Sequence, residues 1–113
     1  MKPIVIVSPL FVKMVSIFIN VYAITLFPFI VSREKLDEKT LNHESIHFRQ
    51  QIELFIIFFY IIYVFDWIKG LIKYRSASSA YYRIRFEQEA YQNENNKFYL
   101  LTRKRNSWKR FRI

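Results

Sequence analysis

"LNHESIHFRQQIELFIIFFYIIYVFDWI", residues 41–68, holds neither proline nor glycine. The breaker-free run continues to Tyr74 with Gly70 as its one glycine, and it predicts a long helix. Near its start stand His43 and His47, the only histidines in the chain. Four residues advance a helix by about 400°, which stacks the two imidazoles on one face roughly 6 Å apart along the axis. Two rings so placed can hold one metal ion, and Glu44, beside that face, can reach a water on the ion without being a ligand. The H-E-x-x-H spacing therefore offers two ligands and a base.

Beyond the motif the run changes character. "ELFIIFFYIIYVFDWI", residues 53–68, is apolar nearly all round, as in a helix buried in a core or lying in lipid. Its uncharged part, 54–65, is too short to span a bilayer, so a buried core helix is expected.

Composition narrows the possibilities. At 113 residues the chain has room for one domain. With 52% hydrophobic and 19% aromatic residues it is far from the disordered class, and it must pack densely or touch a membrane. Cysteine is absent, which excludes disulfides and thiolate ligands, so a zinc ion here needs histidine and carboxylate. The net charge of +9 is unevenly placed: beyond Glu94 the chain carries seven lysines and arginines, from Lys97 to Arg112, and no acidic residue. That end is expected to favour an anionic surface.

Upstream of the motif, "PIVIV" at 3–7 is short and β-branched and reads as a brief strand. Residues 14–32 carry no charge, a length that suggests a membrane span, but Asn20, Thr25 and Pro28 argue against it. Residues 21–31, dense in β-branched and aromatic side chains around a proline with no N–H to donate, fit an edge strand. No small-residue cleavage site follows an early apolar core, so no signal peptide is expected; the expected location is cytoplasmic or peripheral to a membrane. "REKLDEKT" at 33–40 is a charged connector with Asp37 or Thr40 as helix N-cap. "RSASSA" at 75–80 is the clearest break, with Ser78 or Ser79 to cap a last helical region from about Ala80 to Leu101. The expected fold is α+β: a small N-terminal β-hairpin or sheet, a long histidine-bearing helix and a second helix, in one domain over 1–102 followed by a basic tail over 103–113.

A catalytic zinc takes three protein ligands and keeps one position open, and in this chain the third must be a carboxylate. Glu34, Asp37 and Glu38 lie in or beside the charged connector. Glu53 points nearly opposite to His47 on the same helix, and Asp66 is far along it. "RFEQEAYQNE" at 85–94, after the break, carries Glu87 and Glu89 on a separate helix, and spacing alone leaves both open.

HESIH followed by Glu87-Gln88-Glu89-Ala90 resembles the gluzincin group of zinc metallopeptidases, the HtpX family among them, whose second helix supplies a glutamate in an E-x-x-A-D pattern. "TLFPFIV", "LNHESIHFRQQIEL" and "RFEQEAYQNE", in that order, also resemble a family of small bacterial proteins, common in Bacteroidetes, with a minimal gluzincin core. The likeness covers about residues 20–105. The resemblance implies a minimal zincin-like core in which His43 and His47 are zinc ligands, Glu44 is the general base, and Glu87 is the third ligand because Ala90 follows it at the family spacing. It also implies a peptide or protein substrate held by strand addition along the edge strand. Tyr91 stands where the larger families have Asp, which keeps Glu89 as the alternative third ligand.

An acyl-transfer site also needs an oxyanion donor, for which Tyr81, Tyr82, Tyr91 and Arg83 are candidates near the second motif. Gln50 and Gln51 continue the histidine face and are placed to orient ligands from behind. "RKRNSWKRFR" at 103–112 mixes basic residues with Trp108 and Phe111, which suits anionic lipid headgroups, with nucleic-acid backbone as the rival partner. The expected function is that of a zinc metallopeptidase. The alternative is a non-catalytic basic protein, bound to a membrane surface or nucleic acid, whose metal site is structural or decayed.

Overall fold

The computed structural model describes residues 2–15 and 23–113. Strand β1 (Ile4–Val7) leads into helix α1 (Pro9–Val15), and strands β2 (Ala23–Leu26) and β3 (Phe29–Ser32) form a hairpin. The sheet order is β1-β3-β2, with β3 pairing β1 in parallel and β2 antiparallel. The brief strand expected at 3–7 is present. The extended stretch expected over 21–31 is two strands that turn at Phe27 and Pro28, where the missing proline N–H costs no ladder bond. Val21, Tyr22 and the middle of the uncharged stretch 14–32 lie outside the described residues. The edge of the sheet nearest the histidines is β2.

The chain is α+β, as its patterning implies, but the breaker-free run folds as two helices instead of one. They are α2 (Glu38–Glu53) and α3 (Ile57–Tyr74), bent by 115°. Asp37 caps α2 by accepting from the Thr40 N–H at 2.7 Å. At the elbow Phe55 and Ile56 adopt φ of 54° and 69°, a region that bulky side chains rarely enter. The Ile56 N–H donates to the Gln51 carbonyl at 2.8 Å and closes the turn. No glycine or proline marks this break, so tertiary packing makes it: the elbow returns Phe59 and Tyr63 of α3 to the histidine face.

Helix α3 is buried on one side only. Phe59, Asp66 and Gly70 face inward, while Phe58, Phe65 and Ile72 face solvent, so the expected helix buried all round is corrected to a half-covered one. Asp66 is neutralised inside by Arg85, whose Nε and Nη2 donate at 2.9 and 2.8 Å. Among the described residues no single helix is long and apolar enough to cross a membrane.

The last helical region is three pieces, α4 (Ala77–Arg83), α5 (Arg85–Asn93) and α6 (Tyr99–Thr102), followed by a 3-10 turn at Ser107–Arg110. Ser76, ahead of the expected Ser78 or Ser79, caps α4 by accepting from the Ser79 N–H at 3.2 Å. Helices α3 and α4 meet at Gly70, where a Cβ would lie 2.9 Å from the Ala80 Cα. Helix α5 sits between two core clusters, Phe59–Ile84–Phe86–Trp108 and Ile46–Ala90–Tyr99. Within residues 103–113, Arg103 and Trp108 pack into this domain, while Lys104, Arg105, Lys109, Arg110 and Arg112 are exposed. The Arg103 side chain is fully buried against Glu53 and Glu89, and Trp108 meets Phe86 with ring centroids 4.8 Å apart. Neither residue is free to reach a headgroup.

Candidate metal centre

On α2 the four-residue spacing does what helical geometry demands: the Nε2 atoms of His43 and His47 are 3.2 Å apart, and both rings are buried. From α5, Glu87 Oε1 lies 3.1 Å from His43 Nε2 and 2.9 Å from His47 Nε2. On the opposite edges of the rings, His43 Nδ1 is 2.7 Å from Glu94 Oε2 and His47 Nδ1 is 2.8 Å from Gln50 Oε1. Both partners are acceptors, which assigns the hydrogen to each Nδ1 and leaves a lone pair on each Nε2. The Tyr63 hydroxyl donates to the second Glu87 oxygen at 2.7 Å.

Three lone-pair atoms thus converge with no donor of their own between them. Such a set is stable only around a cation or a captured proton. Tetrahedral zinc, with bonds of about 2.0 Å, asks for ligand atoms about 3.3 Å apart, close to the separations found here. His43, Glu44 and His47 form a buried group able to hold a metal ion. Of the two carboxylates at this group, Glu44 comes to 3.7 Å of His43 Nε2, whereas Glu87 is in hydrogen-bond range of both rings.

Each side chain carries a charge state suited to its place. Burial pushes the Glu44 carboxyl up, partly opposed by the two histidines. Burial opposes charging of His47, but the Glu87 carboxylate against it prevails and lifts it to about 9. Burial also opposes ionisation of Glu87, yet the paired histidines hold it well below the usual carboxylate range. The Tyr63 phenol is pushed up by burial and by Glu87, so it remains a donor.

Beside this group opens a cleft of about 220 Å³. Glu44, His47 and Glu87 form its floor, residues 23–25 of β2 one wall, and Tyr60, Tyr63 and Tyr81 the other. Strand β2 is fixed to α2 at this point. The Thr25 hydroxyl lies 2.9 Å from the Glu44 carbonyl oxygen and 3.2 Å from its Oε1. Gln51 donates to the Thr25 carbonyl at 2.8 Å and accepts from the Phe27 N–H at 3.0 Å.

The residues singled out in the sequence divide accordingly. His43, Glu44, His47 and Glu87 come together. Glu89 does not: it points away, taking Arg103, the Gln50 amide at 2.9 Å and the Tyr99 hydroxyl at 2.7 Å. Gln50 Oε1 lies 2.8 Å from His47 Nδ1, whereas Gln51 touches neither histidine and clasps β2. Tyr81 lines the cleft with its hydroxyl 2.9 Å from that of Tyr91, whose ring packs edge-on against His43 at 4.3 Å between centroids. Tyr82 is exposed, and Arg83 is turned to the Arg112 carbonyl at 2.9 Å, so neither lines the cleft. Sequence reasoning missed Thr25, Tyr63 and Glu94 as site residues. Glu94 had a signal, since seven residues beyond Glu87 is about two helical turns and returns to the same face. Tyr63 and Thr25 had none, because the elbow and the hairpin deliver them. Comparison of the chain with protein-family models, curated proteins and solved structures gives no match.

Proposed function

We propose that this chain is a zinc-dependent peptidase of gluzincin type, with His43, His47 and Glu87 holding the ion and Glu44 as general base. The observation that carries the reading is the convergence of three lone-pair atoms, each backed by its own partner: Glu94, Gln50 or Tyr63. The carboxylate behind His43 in this reading is Glu94, 2.7 Å from its Nδ1.

A bound zinc supplies a Lewis acid that acidifies a water and polarises a scissile carbonyl. Glu44, turned into the cleft beside Thr25 and made more basic by burial, takes the proton of the attacking water and passes it to the departing amine. Tyr81, its phenol kept protonated by burial, donates to the carbonyl oxygen as charge develops there. An extended peptide in the cleft lies along residues 23–25 of β2, whose edge from Thr25 to Phe27 is already held by Gln51.

The test is zinc content by elemental mass spectrometry together with hydrolysis of an unfolded protein substrate. One zinc per chain is expected, kept in Glu44→Gln while turnover falls by about 10²–10⁴-fold. Tyr81→Phe is expected to lower kcat by about 10²-fold. Hydrolysis undiminished in Glu44→Gln, or no zinc after reconstitution, would falsify the assignment and leave the non-catalytic basic protein in its place.

A further inference from the structure

Helix α3 breaks the ordinary rule for a surface helix, because the side turned from the core is apolar too. Ile57, Phe58, Ile61, Phe65, Ile68 and Ile72 are all exposed, Phe65 at 61% and Ile72 at 75%. At about 100° per residue they fall within an arc of roughly 100°, on the side opposite Phe59, Asp66 and Gly70. Phe55, 75% exposed at the elbow, prolongs the stripe. Six such side chains, each about half exposed, present on the order of 600 Å² of apolar surface, at or above the largest patch that a soluble monomer ordinarily leaves bare.

Charge and shape say what covers it. The one acidic residue of α3, Asp66, is buried and spent on Arg85, so the outer face carries no negative charge. Its border is cationic: Lys69, Lys73 and Arg75 are exposed along the C-terminal half. Lys73 Nζ donates to the Ile113 carbonyl at 3.1 Å, which brings the basic C-terminal segment alongside the same end. The spacing of 58, 61, 65, 68 and 72 would also suit a helix seam, but pairing with a second copy would bring two chains of net charge +9 and their cationic borders together, whereas an anionic surface answers that charge. A broad apolar face with a lysine and arginine border has the composition of a helix lying in a headgroup layer.

We propose that the outer face of α3 docks the protein onto an anionic lipid surface, with the stripe at the acyl boundary and Lys69, Lys73 and Arg75 among the headgroups. The cleft opens against Phe59, Tyr60 and Tyr63, on the other side of the same helix, so docking leaves it uncovered. The inference does not depend on the metal site being catalytic.

The test is flotation of the full chain with phosphatidylcholine vesicles, alone or with phosphatidylserine at roughly seven to three, at low and high salt. The chain is expected to float with the anionic vesicles and to bind at least tenfold more weakly when phosphatidylserine is omitted or salt is raised. Phe58→Glu with Phe65→Glu is expected to abolish flotation while leaving helicity, melting temperature and zinc content as in the unaltered chain. Lys69→Glu with Lys73→Glu is expected to reduce it at least tenfold. Three results overturn the proposal: flotation that survives the phenylalanine substitutions; a chain that ignores vesicles and sediments as a dimer broken by those substitutions, which gives the face to a second copy; and a monomer that ignores vesicles altogether.

Discussion

Two carboxylates on α5, Glu87 and Glu89, are of one residue type, two positions apart, and both buried. About 200° of helical rotation separates them, and their partners differ in kind. Glu87 meets two histidines, which answer its charge only when they capture a proton or share a bound cation with it. Glu89 meets Arg103, Gln50 and Tyr99, and its charge is answered from within. The comparison teaches that burial alone does not mark a functional carboxylate. What marks it is the absence of a permanent counter-charge. Gln50 ties the two sides together, with its oxygen toward His47 and its amide toward Glu89.

The comparison breaks if the two substitutions behave alike. The largest effect is expected from Glu87→Ala, which should abolish tight zinc binding, while Glu89→Ala should keep the metal in whatever fraction remains folded; elemental analysis of the two purified chains decides. Next is stability. Glu89→Ala leaves the fully buried Arg103 with Glu53 alone and should cost about 3–5 kcal/mol in urea unfolding. Third comes the support behind a ligand: Glu94→Gln should weaken zinc 10–100-fold while leaving the fold intact, as measured by competition with a chelator.

The smallest effect is one of pH, and its sign differs on the two sides. In the metal-free chain His47 is raised from 6.5 to about 9, so its contribution is fully present below pH 6.5 and is lost as pH rises through about 9. Glu89 is lowered from 4.5, chiefly by Arg103 acting against burial, so its contribution is present above pH 4.5 and is lost as pH falls. Melting temperatures of the metal-free chain should therefore decline on both flanks. Glu89→Gln should flatten the acid flank only, whereas His47→Gln should flatten the alkaline flank and, by releasing the Glu87 carboxyl from its partner, part of the acid flank as well; a Glu89→Gln chain whose alkaline flank also flattens would merge the two regions into one titrating unit.

How much of this could be read beforehand follows from the range of the interactions. The histidine pair and its glutamate were legible because helical periodicity alone sets them side by side. Glu87 and Glu89 were left undecided by spacing, since the choice depends on how α5 is rotated, and that rotation is fixed by Phe86 and Ala90 in two separate clusters. The elbow at Leu54–Ile56 was illegible, because Phe55 and Ile56 are poor residues for positive φ and only tertiary contacts hold them there. With the elbow unseen, Tyr63 could not be placed over Glu87, nor the outer face of α3 separated from its core face. The basic run after Glu94 was visible as charge, but Arg103 within it is a core residue because Glu53 and Glu89 are waiting for it.

Arg103 also sets an order of events. It bonds Glu53 and Glu89, which stand fifty and fourteen residues earlier in the chain. Synthesis proceeds from the N-terminus, so the motif-bearing helix and α5 are both complete before the guanidinium that bridges them exists. A ribosome that has just made residue 102 holds both histidines and Glu87 and none of the clasp.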